Sequence, residues 1–368
     1  MSGTSHDGAD FALVKITADK KTLGNFRATL IHHLHTAYHK SLKEKVRKSF
    51  AGTTELICKL NFELGEFYAA NVLRLLDISG YEAGNIDAIA SHGQTVYHMP
   101  PSGGKSGSSL QIGEASVLAE RTGITVVSDF RTRDIAAGGH GAPLVPLPDY
   151  LLFAKKGSAK AVVNIGGIAN VTVLKGKRED TIAFDIGPGN SLIDEAMIHI
   201  SQGKKFFDRN GSFAREGKPE RKLLARLLSH PFLRKHPPKS IGREAFGEEM
   251  VRELFQKYRN LGAENMLATL THFTAEIICR AIIPFGPDEV IVSGGGTENN
   301  YLMGLIREKF HSEGIPVRST LHYGIPSQAK EAVSFAVLGF LTINRLPGNL
   351  RSATGARHAV ALGKITLP

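Results

Sequence analysis

The sequence predicts an α/β protein with two lobes, and three observations lead to this prediction. The chain has 368 residues, which corresponds to roughly two domains at ~150 residues per domain. Short apolar runs repeatedly end in turns rich in glycine, asparagine and aspartate, as buried strands do. Amphipathic stretches lie between these runs, and strands that alternate with helices form sheets with ligand loops at the carboxyl ends of the strands.

The predicted elements follow in order along the chain. Strands are predicted at 10–16, 86–90, 124–127, 161–163, 171–173, 182–184 and 289–292, where β-branched and apolar residues are concentrated. Helices are predicted at 41–76 in one or two pieces, 115–121, 191–201, 221–228, 246–259, 266–284, 300–312 and 328–345. A stretch rich in glycine and proline at 132–148 is predicted to pass between the lobes. The predicted domains are therefore 1–133 and 134–345, and the segment 346–368 could return to the first lobe.

Composition excludes several classes of protein. Apolar residues make up 42% and charged residues 22% of the chain, which is ordinary for a folded domain and unlike a disordered or fibrous protein. We expect no membrane association, because no apolar run reaches the ~20 residues that a span needs, and the first residues lack a signal-peptide pattern. Cys58 and Cys279 are predicted to be reduced core residues of a cytoplasmic protein.

The charge balance favours anionic small molecules as partners. Lysine and arginine number 45 against 35 acidic residues, a formal net charge of +10, which suits a nucleotide or an acidic metabolite. The basic residues are spread along the chain, so solvated faces without a partner remain an open alternative. The absence of tryptophan and a 7% aromatic content provide little for stacking bases, and we expect no nucleic acid partner.

The first glycine-rich turn lies at the start of the chain. It consists of Gly3, Thr4, Ser5, His6, Asp7 and Gly8 and precedes a predicted strand. Glycines let backbone amides approach an anion, and hydroxyl groups add hydrogen-bond donors. Asp7 could hold Mg²⁺ directly or through water. A plain hairpin turn explains the same residues equally well.

A second pair of turns follows two predicted strands near the middle of the chain. Asn164, Gly166 and Gly167 belong to the first turn, and Asp185 precedes the Gly-Pro-Gly sequence of the second. Asp185 stands where a strand end often presents a catalytic carboxylate. The alternative is an Asx turn, in which the aspartate stabilises its own loop.

The third turn contains Gly294, Gly295 and Gly296, between a predicted strand and a predicted helix. Three glycines permit close packing against a flat ligand such as adenine, or the approach of phosphate to the helix N-terminus. A loose strand-to-helix connection is the alternative. The Walker A and GxGxxG patterns are both missing from the sequence, so neither P-loop nor Rossmann chemistry is indicated.

Polar side chains also follow two strands of the first half of the chain. Ser91, His92 and Gln94 follow one strand, and Arg131 follows the other. Such clusters suit a hydroxyl-rich ligand, and Arg131 could pair with a carboxylate. His92 could instead be a structural histidine, and Arg131 could form an internal salt bridge with Asp129 or Asp134.

Together, these turns are typical of the actin, Hsp70 and sugar-kinase architecture, which places the active site in the interlobe cleft. Within that group the chain resembles the anhydro-N-acetylmuramic acid kinase family along its whole length. The matching motifs are MSGTSHDGAD (1–10), SHGQTVYH (91–98), QIGEA (111–115), DFRTRDIAAGGHGAPLVP (129–146), NIGGIANVT (164–172), FDIGPGN (184–190), PKSIGREAF (238–246), SGGGTENNYLM (293–303) and RLPGN (345–349).

The resemblance implies a reaction that depends on ATP and Mg²⁺. The family opens the 1,6-anhydro ring of anhydro-N-acetylmuramic acid with water and phosphorylates O6, which serves cell-wall recycling in the cytoplasm. The products are N-acetylmuramic acid 6-phosphate and ADP. Asp185 matches the catalytic aspartate, the segment from Gly3 to Ala9 and Asp10 matches the ATP segment, and Glu331 joins the residues expected to contact the sugar. The resemblance is also compatible with assembly as a homodimer.

The sequence departs from the family pattern in three places. The family usually has leucine at the position of His6 and glutamine at the position of His140. It also has a short apolar strand before the MSGTS motif, so we expect the first strand of the N-terminal sheet to be missing here. The glycine-rich turns are also compatible with two other functions. A different carbohydrate kinase would keep these turns but differ at SHGQT and DFRTRD. A nucleotide-gated interaction protein would keep them and would not need Asp185.

Overall fold

The computed structural model describes residues 1–2, 7–19, 23–101, 105–237 and 239–368. It divides into two compact units: unit 1 comprises Met1–Phe153 and Ala329–Pro368, and unit 2 comprises Ala154–Gln328. Strands and helices alternate in both units, which confirms the predicted α/β class.

Unit 1 contains several small sheets surrounded by helices. Its strands are β1 (Gly8–Thr17), β2 (Arg27–Ala37), β3 (Ile89–Ala90), β4 (Gln94–Met99), β5 (Ser108–Ile112) and β6 (Val126–Ser128), and later the C-terminal β12 (Lys364–Thr366). Its helices are α1 (Lys40–Ser49), α2 (Thr54–Ser79), α3 (Ala115–Thr122), α4 (Thr132–Ala136) and α5 (Pro146–Phe153), and later α12 (Lys330–Ile343) and α13 (Arg351–Thr354). The strands pair as β1–β2, as β4–β5, and as β12–β6–β3 with β6 in the centre.

Unit 2 is built on one five-stranded sheet. Its strands are β7 (Lys160–Ile165), β8 (Ile168–Leu174), β9 (Ile182–Pro188), β10 (Glu289–Ser293) and β11 (Val317–Ser319), in the spatial order β11–β10–β7–β8–β9. Its helices are α6 (Ser191–Ile200), α7 (Ser212–Glu216), α8 (Arg221–Leu228), α9 (Glu248–Lys257), α10 (Ala263–Ile282) and α11 (Asn300–Ser312). β7, β10 and β11 run parallel, whereas β8 is antiparallel to both of its neighbours. Because β7 and β10 are parallel neighbours, their carboxyl ends lie side by side at one edge of the sheet.

The core of unit 2 forms around α10. This helix has apolar residues around most of its circumference, and it packs on the sheet and on α6 and α11. The segment 263–285 is long and apolar enough to cross a membrane by length and composition, but 72% of that window is buried inside the protein. Its apolar character is accounted for by this burial.

The boundary between the units differs from the predicted one. The segment 132–148 does not leave unit 1, because Asp134 ties it to the C-terminal part of the chain. The two carboxylate oxygens of Asp134 accept hydrogen bonds from Gly141 N at 2.8 Å, Asn349 Nδ2 at 2.9 Å and Thr354 Oγ1 at 2.8 Å. α5 and α12 also share the unit 1 core, through residues such as Leu147. Unit 1 therefore extends to Phe153 and resumes at Ala329.

One prediction about the cysteines is wrong. Cys279 is buried as expected, but Cys58 is exposed. α2 is amphipathic, and it turns Leu60 and Leu64 towards the core while Cys58 lies on the outer face. The expected lack of a strand ahead of Met1 stays a prediction.

Candidate functional site

Two glycine turns of unit 2 are joined through their backbones. Gly189 N donates a hydrogen bond to Gly167 O, and Asn190 N donates one to Gly166 O, both at 2.8 Å. A Cβ atom at Gly189 would lie 2.2 Å from Gly166 O, so no larger residue fits there. The turn after β7 and the turn after β9 thus form one compact unit, and α6 begins directly after it.

The third turn of unit 2, which follows β10, packs against the end of β7. A Cβ atom at Gly294, whose φ is +87°, would lie 2.7 Å from both Asn164 Oδ1 and Ile165 O. At Gly296 a Cβ atom would lie 2.2 Å from the Ile165 side chain and 3.1 Å from Asn190 Oδ1. The turns converge because β7 and β10 are parallel neighbours, with Ser293 opposite Asn164 at their ends.

This convergence brings together the unit 2 residues that the sequence predicted for nucleotide binding, namely Gly166, Gly167, Gly294, Gly295 and Gly296. Glycine turns next to the first turn of a helix allow backbone amides to approach a phosphate group. At the start of α6, however, Gly189 N, Asn190 N and Ser191 N already donate to Gly166 O or Gly167 O. Binding of an anion here would therefore depend on the remaining backbone amides of these turns.

Asp185 lies on β9 and is held by a distant segment of unit 2. Its backbone N–H donates to Lys239 O at 3.0 Å, and its Oδ2 atom accepts a hydrogen bond from Ile241 N at 3.0 Å. An Asx turn would instead bond the aspartate's own loop, whereas Ile241 follows 56 residues later. The segment 239–241 thus sets the orientation of the carboxylate.

The surroundings of Asp185 suit a proton acceptor. Burial raises the pKa of Asp185, while the Ile241 N–H group and the positive charge of Lys239 oppose that rise. Burial lowers the pKa of Lys239, and the charge of Asp185 opposes this. A carboxylate with a raised pKa is a stronger base near neutral pH than an ordinary aspartate.

In unit 1, only part of the predicted ATP segment can be placed. Gly3, Thr4, Ser5 and His6 lie outside the described residues. Asp7 is exposed, and Gly8, Ala9 and Asp10 form the start of β1.

The carboxylate of Asp10 faces β2. Its Oδ1 atom lies 3.0 Å from His33 Nε2 and 3.1 Å from His35 Nδ1. Burial works to raise the pKa of Asp10, but hydrogen bonds and charge from His33 and His35 outweigh it and hold the pKa below its usual value. Asp10 thus stabilises the β1–β2 hairpin.

His92 and Arg131 form a pair in unit 1. His92 Nδ1 lies 2.8 Å from Gly93 O, so this nitrogen carries the proton, because a carbonyl oxygen can only accept. The other ring nitrogen, Nε2, accepts hydrogen bonds from Arg131 Nε at 3.3 Å and Nη2 at 3.0 Å. Burial, and then the charge of Arg131, lower the pKa of His92 well below its usual value. The histidine is therefore a neutral acceptor.

Arg131 is half-buried and keeps its charge. Its Nη1 atom donates to Gly141 O at 3.0 Å. Burial lowers the pKa of Arg131 to about 10, against the charge of Glu331, so the guanidinium stays protonated at neutral pH. Arg131 forms no salt bridge with Asp129 or Asp134: Asp129 pairs with Lys364 at 2.6 Å, and Asp134 accepts the three hydrogen bonds that close the C-terminal part of unit 1.

Glu331 and Gln94, both expected to contact a sugar, differ in their surroundings. Glu331 is in the first turn of α12, and burial raises its pKa, against the charges of Lys330 and Arg131 among others. Gln94 Oε1 accepts a hydrogen bond from Ser2 Oγ at 2.5 Å, and Gln94 Nε2 donates to Thr95 O at 3.2 Å. Both polar atoms of Gln94 thus have partners within the chain.

A cavity of about 580 Å³ in unit 1 opens beside Ser91 and His92. Sequence reasoning missed most of its polar lining, which includes Asn61, Gln111, Glu114, Asp129 and Lys364. Amide, hydroxyl and charged groups of this kind suit a polyhydroxylated ligand. In the sequence, the QIGEA motif, which contains Gln111 and Glu114, was the signal that could have indicated that this segment contributes to the site. A second cavity of about 730 Å³ near Lys105 and Arg357 contains none of the predicted site residues.

The described residues contain no group of three or more histidine, cysteine, aspartate or glutamate side chains that could hold a metal ion. Mg²⁺ is commonly bound through one or two carboxylates together with water and substrate phosphates. Asp7, the residue predicted to contact Mg²⁺, is exposed, and its role stays a prediction.

The family model and the sequence relatives indicate the same protein family. The family model described as anhydro-N-acetylmuramic acid kinase matches residues 1–368. The protein of that name from Caldanaerobacter subterraneus subsp. tengcongensis is 44% identical over 384 residues, which covers 100% of this chain and 96% of that protein. The one from Bacillus cereus strain Q1 is 41% identical over 379 residues, with 100% and 98% coverage.

Among solved structures, component A of the (R)-2-hydroxyglutaryl-CoA dehydratase from Acidaminococcus fermentans is 12% identical. It has a TM-score of 0.44 and covers 89% of this chain and 96% of its own. A likeness of this size carries no argument about ligands.

Proposed function

Because the chain belongs to the anhydro-N-acetylmuramic acid kinase family, we propose that it hydrolytically opens the anhydro sugar and phosphorylates O6 with ATP. The products would be N-acetylmuramic acid 6-phosphate and ADP. The structural observation that supports this best is Asp185, whose half-buried carboxylate is oriented by Ile241 and has a raised pKa.

Asp185 would act as the general base. Its carboxylate would take a proton from the water molecule that attacks C1 of the sugar. As the new C1–O bond forms, the bond between C1 and O6 breaks, and O6 develops negative charge. O6 can then attack the γ-phosphorus of ATP, so no separate acid is needed to protonate the leaving oxygen.

The glycine turns would bind the nucleotide. Gly166 and Gly167 would lie against the phosphates, and Gly294, Gly295 and Gly296 against the adenosine, because turns without side chains let the backbone approach a ligand closely. The segment from Gly3 to Asp10 would contribute to ATP binding, with Asp7 contacting Mg²⁺ directly or through water. When bound, Mg²⁺ would neutralise charge on the transferring phosphoryl group.

Unit 1 would recognise the sugar. Arg131 would pair with the lactyl carboxylate, and Ser91, Glu331 and the polar cavity would contact hydroxyl and amide groups. Gln94 would act indirectly, because its side chain is engaged by Ser2.

We place this reaction in cell-wall recycling in the cytoplasm, with small molecules as partners and no nucleic acid or membrane partner. The substrate supports this placement, since a free anhydro sugar with a lactyl group is a fragment of peptidoglycan. Assembly as a homodimer stays a prediction.

The experiment that tests the proposed function is ADP release with and without the anhydro sugar. We expect ADP to form only when ATP, Mg²⁺ and anhydro-N-acetylmuramic acid are all present. N-acetylmuramic acid, in which the anhydro ring is already open, serves as the control. ADP release that is independent of sugar would contradict the proposal and favour a nucleotide-gated protein.

Replacement of Arg131 should affect the sugar more than the nucleotide. In Arg131→Lys the charge remains, but the planar fork that can grip a carboxylate through two nitrogens is lost. We expect the KM for the sugar to rise while the KM for ATP stays nearly unchanged, as measured by steady-state kinetics. An effect confined to the KM for ATP would reverse the assignment of Arg131.

A further inference from the structure

The guanidinium of Arg131 is a half-buried charge held by neutral groups. Two of its nitrogens donate to His92 Nε2, and the third donates to Gly141 O. No carboxylate of the described residues lies within salt-bridge distance of it. A buried charge is costly unless an opposite charge or several hydrogen bonds compensate for it.

The acidic group that acts on Arg131 electrostatically is Glu331. Glu331 is half-buried, and desolvation raises its pKa, which disfavours its charged form. Within the part of the chain that the structure describes, no carboxylate charge at ion-pair distance therefore balances Arg131, and its hydrogen-bond partner His92 and its chain neighbour Thr132 line the cavity of about 580 Å³.

The tautomer of His92 is determined by its surroundings. Gly93 O accepts the Nδ1 proton, which leaves the Nε2 lone pair for Arg131. The ring is buried and packs at 4.7 Å between centroids against Phe335, which limits its rotation. The histidine thus holds two nitrogens of Arg131 without adding charge.

The geometry points to a further role for His92: we propose that it is a positioning residue that makes the site selective for a sugar bearing a carboxylate. As a neutral acceptor it takes the N–H group of Nε and one of Nη2, and Gly141 O takes one of Nη1. The second N–H group of each Nη atom is left for the substrate. An acidic residue in its place would neutralise Arg131 from within. This inference rests on the proposed function.

The test compares two variants of the full chain, His92→Gln and His92→Glu, on two sugars. The sugars are anhydro-N-acetylmuramic acid and anhydro-N-acetylglucosamine, which lacks the lactyl carboxylate. The readout is the ratio of their kcat/KM values. Glutamine keeps a neutral acceptor and should largely keep the wild-type ratio. Glutamate should lower the ratio about 10-fold or more, since a charged hydrogen bond to the substrate is lost.

A purely structural role would lower kcat/KM for both sugars equally and leave the ratio unchanged, and that result would overturn the inference. If His92→Glu fails to fold, His92→Leu replaces it, because leucine removes the hydrogen-bond acceptor without adding charge. An unchanged ratio of the two kcat/KM values in His92→Leu would likewise overturn the positioning role of His92. If the wild type phosphorylates neither sugar, the proposed function fails. The Kd values of the two sugars, measured by calorimetry on the same variants, then test His92 separately.

Discussion

Asp185→Asn should reduce kcat with the anhydro sugar by about 10²–10⁴-fold, the usual contribution of a positioned general base. Asparagine has nearly the same shape, and its oxygen can still accept the hydrogen bond from Ile241 N. It cannot take a proton from water. We expect the Kd for ATP to stay close to that of the wild type, because the glycine turns are untouched.

The pH dependence provides a second readout for Asp185. Burial raises the pKa of this carboxylate, so the wild-type kcat should fall as the pH is lowered through that raised pKa and the base becomes protonated. The residual rate of Asp185→Asn should lack this decline.

Asp208 supplies a matched control for Asp185. Its carboxylate also accepts backbone hydrogen bonds, from Phe213 N and Ala214 N at 3.0 Å each, but it stabilises the start of α7. Asp208→Asn should lower the thermal midpoint and leave kcat nearly unchanged. A loss of less than about tenfold in Asp185→Asn, below the range for a general base, would show that Asp185 is not the base.

Lys330→Met should lower the free energy of unfolding of unit 1 by about 3–5 kcal/mol, the usual cost of removing one partner from a buried ion pair. Lys330 Nζ lies 2.6 Å from Asp149 Oδ1, and the two side chains are only 4% and 2% exposed. The pair joins the start of α12 to α5. Urea unfolding of the full chain measures the change.

Two controls separate the buried pair from a general effect of lost charge. Lys59→Met breaks an exposed pair with Glu55, whose side chains are 73% and 76% exposed, and should change stability little. The double variant Lys330→Met/Asp149→Leu replaces the buried pair by apolar groups and should recover much of the loss. If Lys330→Met is as stable as the wild type, α12 is held by its apolar contacts alone.

Much of the fold could be predicted from the sequence because its strands are deeply buried in unit 2. The predicted helices 221–228 and 300–312 have the observed bounds, and β9 and β10 begin at the predicted residues. β2, β4 and β5 were missed. Their faces are half exposed, as in Tyr97 and Leu110, so the continuous apolar runs that mark a buried strand are lacking.

The sequence predicts the parts of the candidate site that lie in turns after strands. It does not predict the contacts between residues that are far apart along the chain. The turns at Gly166 and Gly294 follow neighbouring parallel strands, so their convergence follows from the topology. The contact between Ile241 and Asp185 spans 56 residues, and the one between Arg131 and His92 spans 39 residues. Such pairings come from tertiary packing, and no local pattern in the sequence indicates them.

The central claim is that water opens the anhydro ring in the same reaction that phosphorylates O6. The mass of the product formed from anhydro-N-acetylmuramic acid, ATP and Mg²⁺ tests this claim directly. We predict a product that has gained one water molecule and one phosphoryl group. A product that has gained a phosphoryl group alone, with the anhydro ring intact, would contradict the role assigned to Asp185 and identify an ordinary sugar kinase.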